Sequence, residues 1–178
     1  PRRPTDTEVG AKLWADTQAK YSILKNSGMQ FFYRPKADFQ DGRDSHSETY
    51  PKDETEREEG IPQGVDATVI YDPKSTPEDV MAEYVSHVGR NSDPKLKAHY
   101  EQFVNSLTPN QERLLQGQYH EARAHGETRP YNIWREYSGV PAYYRGYLFH
   151  QWKVDPNKYY PPEQQRQLDA IRPYLEGK

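Results

Sequence analysis

Cysteine is absent from the 178-residue chain. That excludes disulfides, thiolate zinc sites and cysteine nucleophiles together, and with them any small secreted scaffold held by disulfides. Long apolar runs are missing as well: no stretch approaches the ~18 consecutive apolar residues of a membrane span. The opening residues, PRRPTDTEVGAKLW, lack the apolar core of a secretory signal, and Pro1 fits removal of a starting methionine. No glycine loop able to cradle phosphate, no dinucleotide fingerprint and no internal repeat is present. Apolar residues make up only 33% of the chain, and mean hydropathy is −1.18. A net charge of −3 offers no general attraction to phosphate and argues against nucleic acid as a partner.

What replaces aliphatic bulk is tyrosine and proline, fifteen of each. Both suit extended segments lying along neighbours, so a low-apolar chain of one-domain size is expected to gain burial from partners. Charge is unevenly placed. Residues 1–37 hold seven Lys/Arg against three Asp/Glu, whereas residues 38–60 hold nine Asp/Glu against three Lys/Arg. Such asymmetry either steers partners or folds back on itself.

The pattern predicts an α+β fold in a single domain, 1–178: a small two-stranded sheet with a long acidic loop, followed by a mainly helical body. Residues 1–64 carry the N-terminal helix, a strand and the loop; residues 65–178 carry a strand and the body. The first helix is expected from about Asp6 to Ser27, opened by Thr5 or Thr7 and closed by Gly28. Met29 to Tyr33 reads as a strand, Lys36 to Gly64 as an exposed loop, and Val65 to Tyr71 as the partner strand. Thr76-Pro77, Asp93-Pro94 and Thr108-Pro109 each place a cap before a proline, predicting helices at 76–90, 93–107 and 108–125. In the middle one, Leu96, Tyr100, Phe103, Val104 and Leu107 share a face. A short helix near 130–138 precedes Gly139, and helices from Pro141 to Trp152 and from Pro162 follow, the last burying Leu168, Ile171 and Leu175.

Candidate catalytic groups are sparse. A zinc-peptidase helix needs histidines four apart. His120 and His125 are five apart, and on a regular helix they diverge by roughly 140°. Glu83 and His87 follow the second strand, but Ala82 stands where the first histidine belongs and His87 is one position late. Ser86 and His87 are adjacent and point apart, so they form no nucleophile–base pair. Met81, Tyr84, Val85 and Val88 are expected to form the core face there, with His87 at its edge. Asp38 to Ser45 sets oxygen ligands around Gly42 without the spacing of an EF-hand loop. The expected catalytic, metal and cofactor sets are therefore empty.

The richest segment is RPYNIWREYSGVPAYYRGYLFHQW, residues 129–152, where eight of 24 residues are aromatic and three arginines are interspersed. Tyrosine, tryptophan and arginine dominate buried protein–protein contacts. Tyr144, Leu148 and Trp152 are spaced by four, while Tyr143, Tyr147 and His150 lie partly on another face. A helix apolar all round is buried on every side, inside its own fold or against a partner. The expected partner-binding set is Arg135, Tyr143, Tyr144, Arg145, Tyr147 and Trp152.

The stretches YRPKADFQDGRDSHSETYP, GIPQGVDATVIYDPKSTPEDVMAEYVSH, SGVPAYYRGYLFHQW and YYPPEQQRQLDAI cover about half the chain. They resemble uncharacterised virion-associated proteins of tailed bacteriophages, including pieces of large multi-domain phage polypeptides. The resemblance implies a non-enzymatic structural or assembly accessory of a virion, bound to other proteins of that assembly. It would reside in the virion, and in the host cytoplasm during assembly. Two alternatives stand beside it: an accessory subunit of a large organellar respiratory complex, and a degenerate metal-dependent hydrolase using Glu83 with His87 or Glu121 with His120 and His125.

Overall fold

The computed structural model describes residues 4–36, 46–149 and 160–178. The expected cation turn at 38–45, and His150 and Trp152, lie outside them. The fold is α+β and mainly helical, with a small three-stranded sheet. The chain divides into two compact units, Pro1–Gly89 with Pro173–Lys178, and Arg90–Arg172. Residues 1–64 and 65–178 do not separate, because the strand after residue 64 pairs with two strands before it.

In the first unit α1 (Pro4–Lys20) is followed by a tighter 3-10 turn, Ser22–Asn26, and Gly28 at φ 73°. The regular helix stops seven residues short of expectation. Thr17, buried, turns its hydroxyl back onto the Leu13 carbonyl at 2.6 Å, a bond that competes with regular helix geometry. Strand β1 (Gln30–Tyr33) runs parallel to β3 (Ala67–Ile70), and β2 (Ser47–Tyr50) runs antiparallel to it, giving the order β1-β3-β2. The two-stranded expectation is corrected here. Central β3 is buried at all four positions, as a strand covered on both faces requires. Ile61, Ala67, Val69 and Tyr71 form a small core with Phe32 and Tyr50 against it.

The acidic loop is corrected too, since it contains β2 and a tied-down turn. Arg57 donates to the carbonyls of Pro51, Glu54 and Pro62 at 2.8, 2.8 and 2.6 Å. Arg34 pairs with Glu58 at 2.8 Å, and the Tyr71 hydroxyl donates to the same carboxylate at 2.5 Å. Burial and that bond both push the Tyr71 phenol up. Basic and acidic segments thus meet within this unit.

Helix α2 (Pro77–Tyr84) opens on a reciprocal cap: the Thr76 amide donates to Asp79 Oδ2 at 2.8 Å, and the Asp79 amide donates to Thr76 Oγ1 at 3.4 Å. It buries Met81 and Tyr84, then continues as a wider π turn, Val85–Gly89.

The second unit starts with the helical turn α3 (Arg90–Ser92), then α4 (Pro94–Asn105) and α5 (Pro109–Ala124). Their caps are those expected: Asp93 Oδ1 accepts from Lys95 and Leu96, and Thr108 exchanges bonds with Gln111. A short α6 (Tyr131–Trp134) runs through a second π turn, Arg135–Gly139, into α7 (Val140–Phe149). Gly139 therefore does not break the helix as expected. A Cβ there would lie 2.3 Å from the Trp134 ring, so the glycine lets that indole pack across the wide turn. Helix α8 (Pro162–Leu175) buries Leu168, Ile171 and Leu175.

The core of this unit is built from rings. Phe103 lies 4.7 Å from Tyr147 and 5.3 Å from Tyr144, and Tyr147 meets Tyr160 edge-on at 5.0 Å. His99 sits among them: its Nδ1 is 2.7 Å from the Tyr144 hydroxyl and its Nε2 is 3.0 Å from the Gln167 carbonyl. Burial pulls the imidazole below its ordinary pKa, with the Gln167 bond opposing. Beside it, Gln111 and Gln164 are buried and bonded amide to amide at 2.8 Å, and Gln164 also donates to the Ser106 carbonyl at 2.7 Å.

Candidate functional site

The π turn shapes the surface feature of most interest. Its first three residues, Arg135, Glu136 and Tyr137, line a cleft of about 290 Å³ with Arg90 of α3, Tyr100 and Val104 of α4, and Val140 of α7. All seven belong to the second unit. Tyr137 is 63% exposed, an unusual state for so large a ring, and Ile133 one turn earlier is 40% exposed.

The two arginines are held differently. Arg135 spans both oxygens of Glu112, at 2.6 and 3.3 Å, and that pairing raises its pKa further. It forms a fixed wall. The Arg90 guanidinium lies 5.2 Å from the centre of the Tyr100 ring, with Asn91 Oδ1 at a marginal 3.4 Å. Burial lowers the Arg90 pKa, while Tyr100 and Tyr137 raise it. Tyr100 is backed by Tyr144 edge-on at 5.1 Å, and burial pushes its phenol up. The cleft is thus a mixed surface of cation, ring and branched aliphatic side chains, suited to binding and carrying no nucleophile–base pair among its lining residues.

The expected partner-binding set is split by the structure. Arg135 lines the cleft, and Arg145 is half-buried on α7. Tyr143, Tyr144 and Tyr147 are 0% exposed, so their rings cannot reach a partner. The physical reason is that α7 is enclosed by its own unit: Phe103, His99 and Tyr160 occupy the faces a partner would have used. Trp152 lies outside the described residues. Tyr137 was visible in the aromatic segment, and Tyr100 and Val104 in the α4 pattern. Arg90 had no sequence signal, because its role depends on stacking over a ring ten residues away.

A second polar cluster lies in the first unit. Glu83 is 5% exposed, and its two oxygens accept from Ser47 Oγ at 2.5 Å and Thr49 Oγ1 at 2.6 Å. Thr49 also meets Thr68 at 2.9 Å, and His87 Nε2 stands 3.6 Å from Glu83 Oε2. The i,i+4 spacing places His87 on the Glu83 side. Both Glu83 oxygens are engaged in fastening edge strand β2 to α2. His120 and His125 are exposed near the end of α5. Among the described residues, no three His, Asp or Glu side chains gather as a metal site, and no helix is long and apolar enough to cross a membrane.

Comparison with known proteins finds no matching family model, no matching curated protein and no matching solved structure.

Proposed function

We propose that this chain is a non-enzymatic interaction protein that engages other proteins of a large assembly through the Arg90–Tyr100–Tyr137 cleft. The assembly favoured by the sequence resemblance is a tailed-phage virion, with host cytoplasm as the place of assembly. The observation that carries the reading is the exposed Tyr137 ring standing over a cleft with two guanidiniums. A rigid ring offers large contact area at low entropy cost, and arginine adds directional bonds, the pairing that concentrates binding energy at interfaces. At about 290 Å³ the cleft is at the lower limit of small-molecule sites and suits one or two side chains of a partner.

The reading is tested by selecting a displayed random-peptide library on the intact chain and on its Tyr137→Ser variant. The expected result is a family of peptides enriched on the parent and lost on the variant. Enrichment indifferent to Tyr137, or no enrichment, overturns it.

A further inference from the structure

Among the described residues three large apolar side chains are exposed, Val9, Ile133 and Tyr137. Two of them belong to one stretch of the second unit. Ile133, on α6, precedes Tyr137 by four residues, a spacing that sets both on one side of a helical chain about 5–6 Å apart. Tyr137 lines the cleft, whereas Ile133 stands outside it. A branched aliphatic knob is therefore one turn away from a hole walled by Val104, Val140 and the rings of Tyr100 and Tyr137. A knob beside a hole of matching chemistry is what a two-fold pairing of identical surfaces needs. Each copy then presents its knob to the other's hole.

Charge selects the same occupant. Arg90 and Arg135 stand with Glu112 and Glu136 around the cleft, two cations and two anions, so the patch is neutral as a whole. A two-fold pairing sets a surface against itself, and any excess of one sign would meet its own repulsion there. A balanced surface escapes that cost, and it calls for an uncharged side chain rather than a carboxylate or an ammonium. We infer that the second unit pairs with a second copy of this chain about a two-fold axis, Ile133 of each copy entering the cleft of the other. Tyr137, between knob and hole, then lies close to the axis and meets its own counterpart. This rests on the interaction reading above and names one partner, the chain itself. The patch is small, which makes the pair weak in dilute solution and favoured where copies are concentrated, as they are in an assembly.

The test is sedimentation velocity of the full chain from about 1 µM to about 500 µM, a range that spans the affinities of weak pairs. A shift from monomer to dimer is expected. Ile133→Glu, at an exposed position and with folding checked by circular dichroism, should weaken the dimer about tenfold or more by carrying an unbalanced charge into an apolar cleft. The geometry is read separately with introduced cysteines, since the chain has none of its own. Mixing an Ile133→Cys chain with a Val104→Cys chain under mild oxidation should give the mixed disulfide in clear excess over random pairing, because Ile133 of one copy faces Val104 of the other. A parent chain that stays monomeric over the whole range overturns the inference. So does a dimer indifferent to Ile133→Glu, or disulfides formed in random proportion. If the monomeric parent still selects Tyr137-dependent peptides, this inference falls and the interaction reading stands; if neither peptides nor a second copy bind, both fall.

Discussion

The two compact units meet the same shortage of aliphatic side chains in different ways. The first fastens itself with polar anchors. Glu83 ties β2 to α2 through two hydroxyls, Arg57 closes a turn through three carbonyls, and Arg34 gathers the acidic segment. The second packs ring on ring, with a buried histidine and a buried glutamine pair beside them. The difference teaches that an abundance of tyrosine does not by itself advertise an interface. A tyrosine has an apolar body and one polar tip, and where the tip finds a partner inside, as Tyr147 does at the Gln164 carbonyl and Tyr144 at His99, the ring becomes ordinary core. Tyr137 sits only a few residues from these, within the π turn that leads into α7, and its ring is exposed.

The largest expected break in this contrast is Phe103→Ala, which removes the ring at the centre of the second core. It should cost about 3–5 kcal/mol, enough to unfold that unit at moderate temperature, read by tryptophan fluorescence during urea titration. Glu83→Ala should cost about 2–3 kcal/mol by removing the carboxylate that accepts from both Ser47 and Thr49, with β2 amides losing protection in hydrogen exchange; Glu83→Gln should recover part of that loss. Gly139→Ala should cost about 1–3 kcal/mol through collision with Trp134, and a paired Trp134→Leu should relieve it, which separates packing strain from backbone propensity.

His99 sharpens the contrast through pH. Its folded pKa lies below the unfolded value of 6.5 because burial disfavours the cation. The unfolded chain therefore binds the extra proton first, so this contribution is whole above pH 6.5 and is lost as pH falls toward the folded pKa. The second unit should lose stability on acidification over that window, and His99→Gln should flatten the slope; an unchanged slope in urea midpoints at pH 7.5 and 5.5 contradicts it. The smallest expected stability effect is Tyr137→Ser, within about 0.5 kcal/mol, since the ring is exposed. Its consequence should appear only in peptide binding and in the pairing of copies.

How much of this was legible in the residues follows the range of the interactions. The caps at Thr76, Asp93 and Thr108 act within three residues, so all three Pro-led helices were readable. Strand β2 was not. Its inward face is Ser47 and Thr49, polar because it meets a carboxylate, so the alternation that marks a half-buried strand was disguised. The π turns were hidden for another reason: one added residue shifts the helical period locally, and Gly139 then resembles a stop. The rings of α7 signalled the burial of Tyr143, Tyr144 and Tyr147, although the face of Ala142, Arg145 and Phe149 is only half-buried, and periodicity cannot say whether an interior or a partner covers a ring. Arg90 became visible only once α3 and α4 were placed.

The most direct test is nitration of the native chain by tetranitromethane under limiting reagent, with each tyrosine located by peptide mass spectrometry. The account predicts early modification of Tyr137 while Tyr143, Tyr144 and Tyr147 stay protected until the second unit unfolds. Modification of those three at a rate comparable with Tyr137 in the folded protein would contradict it.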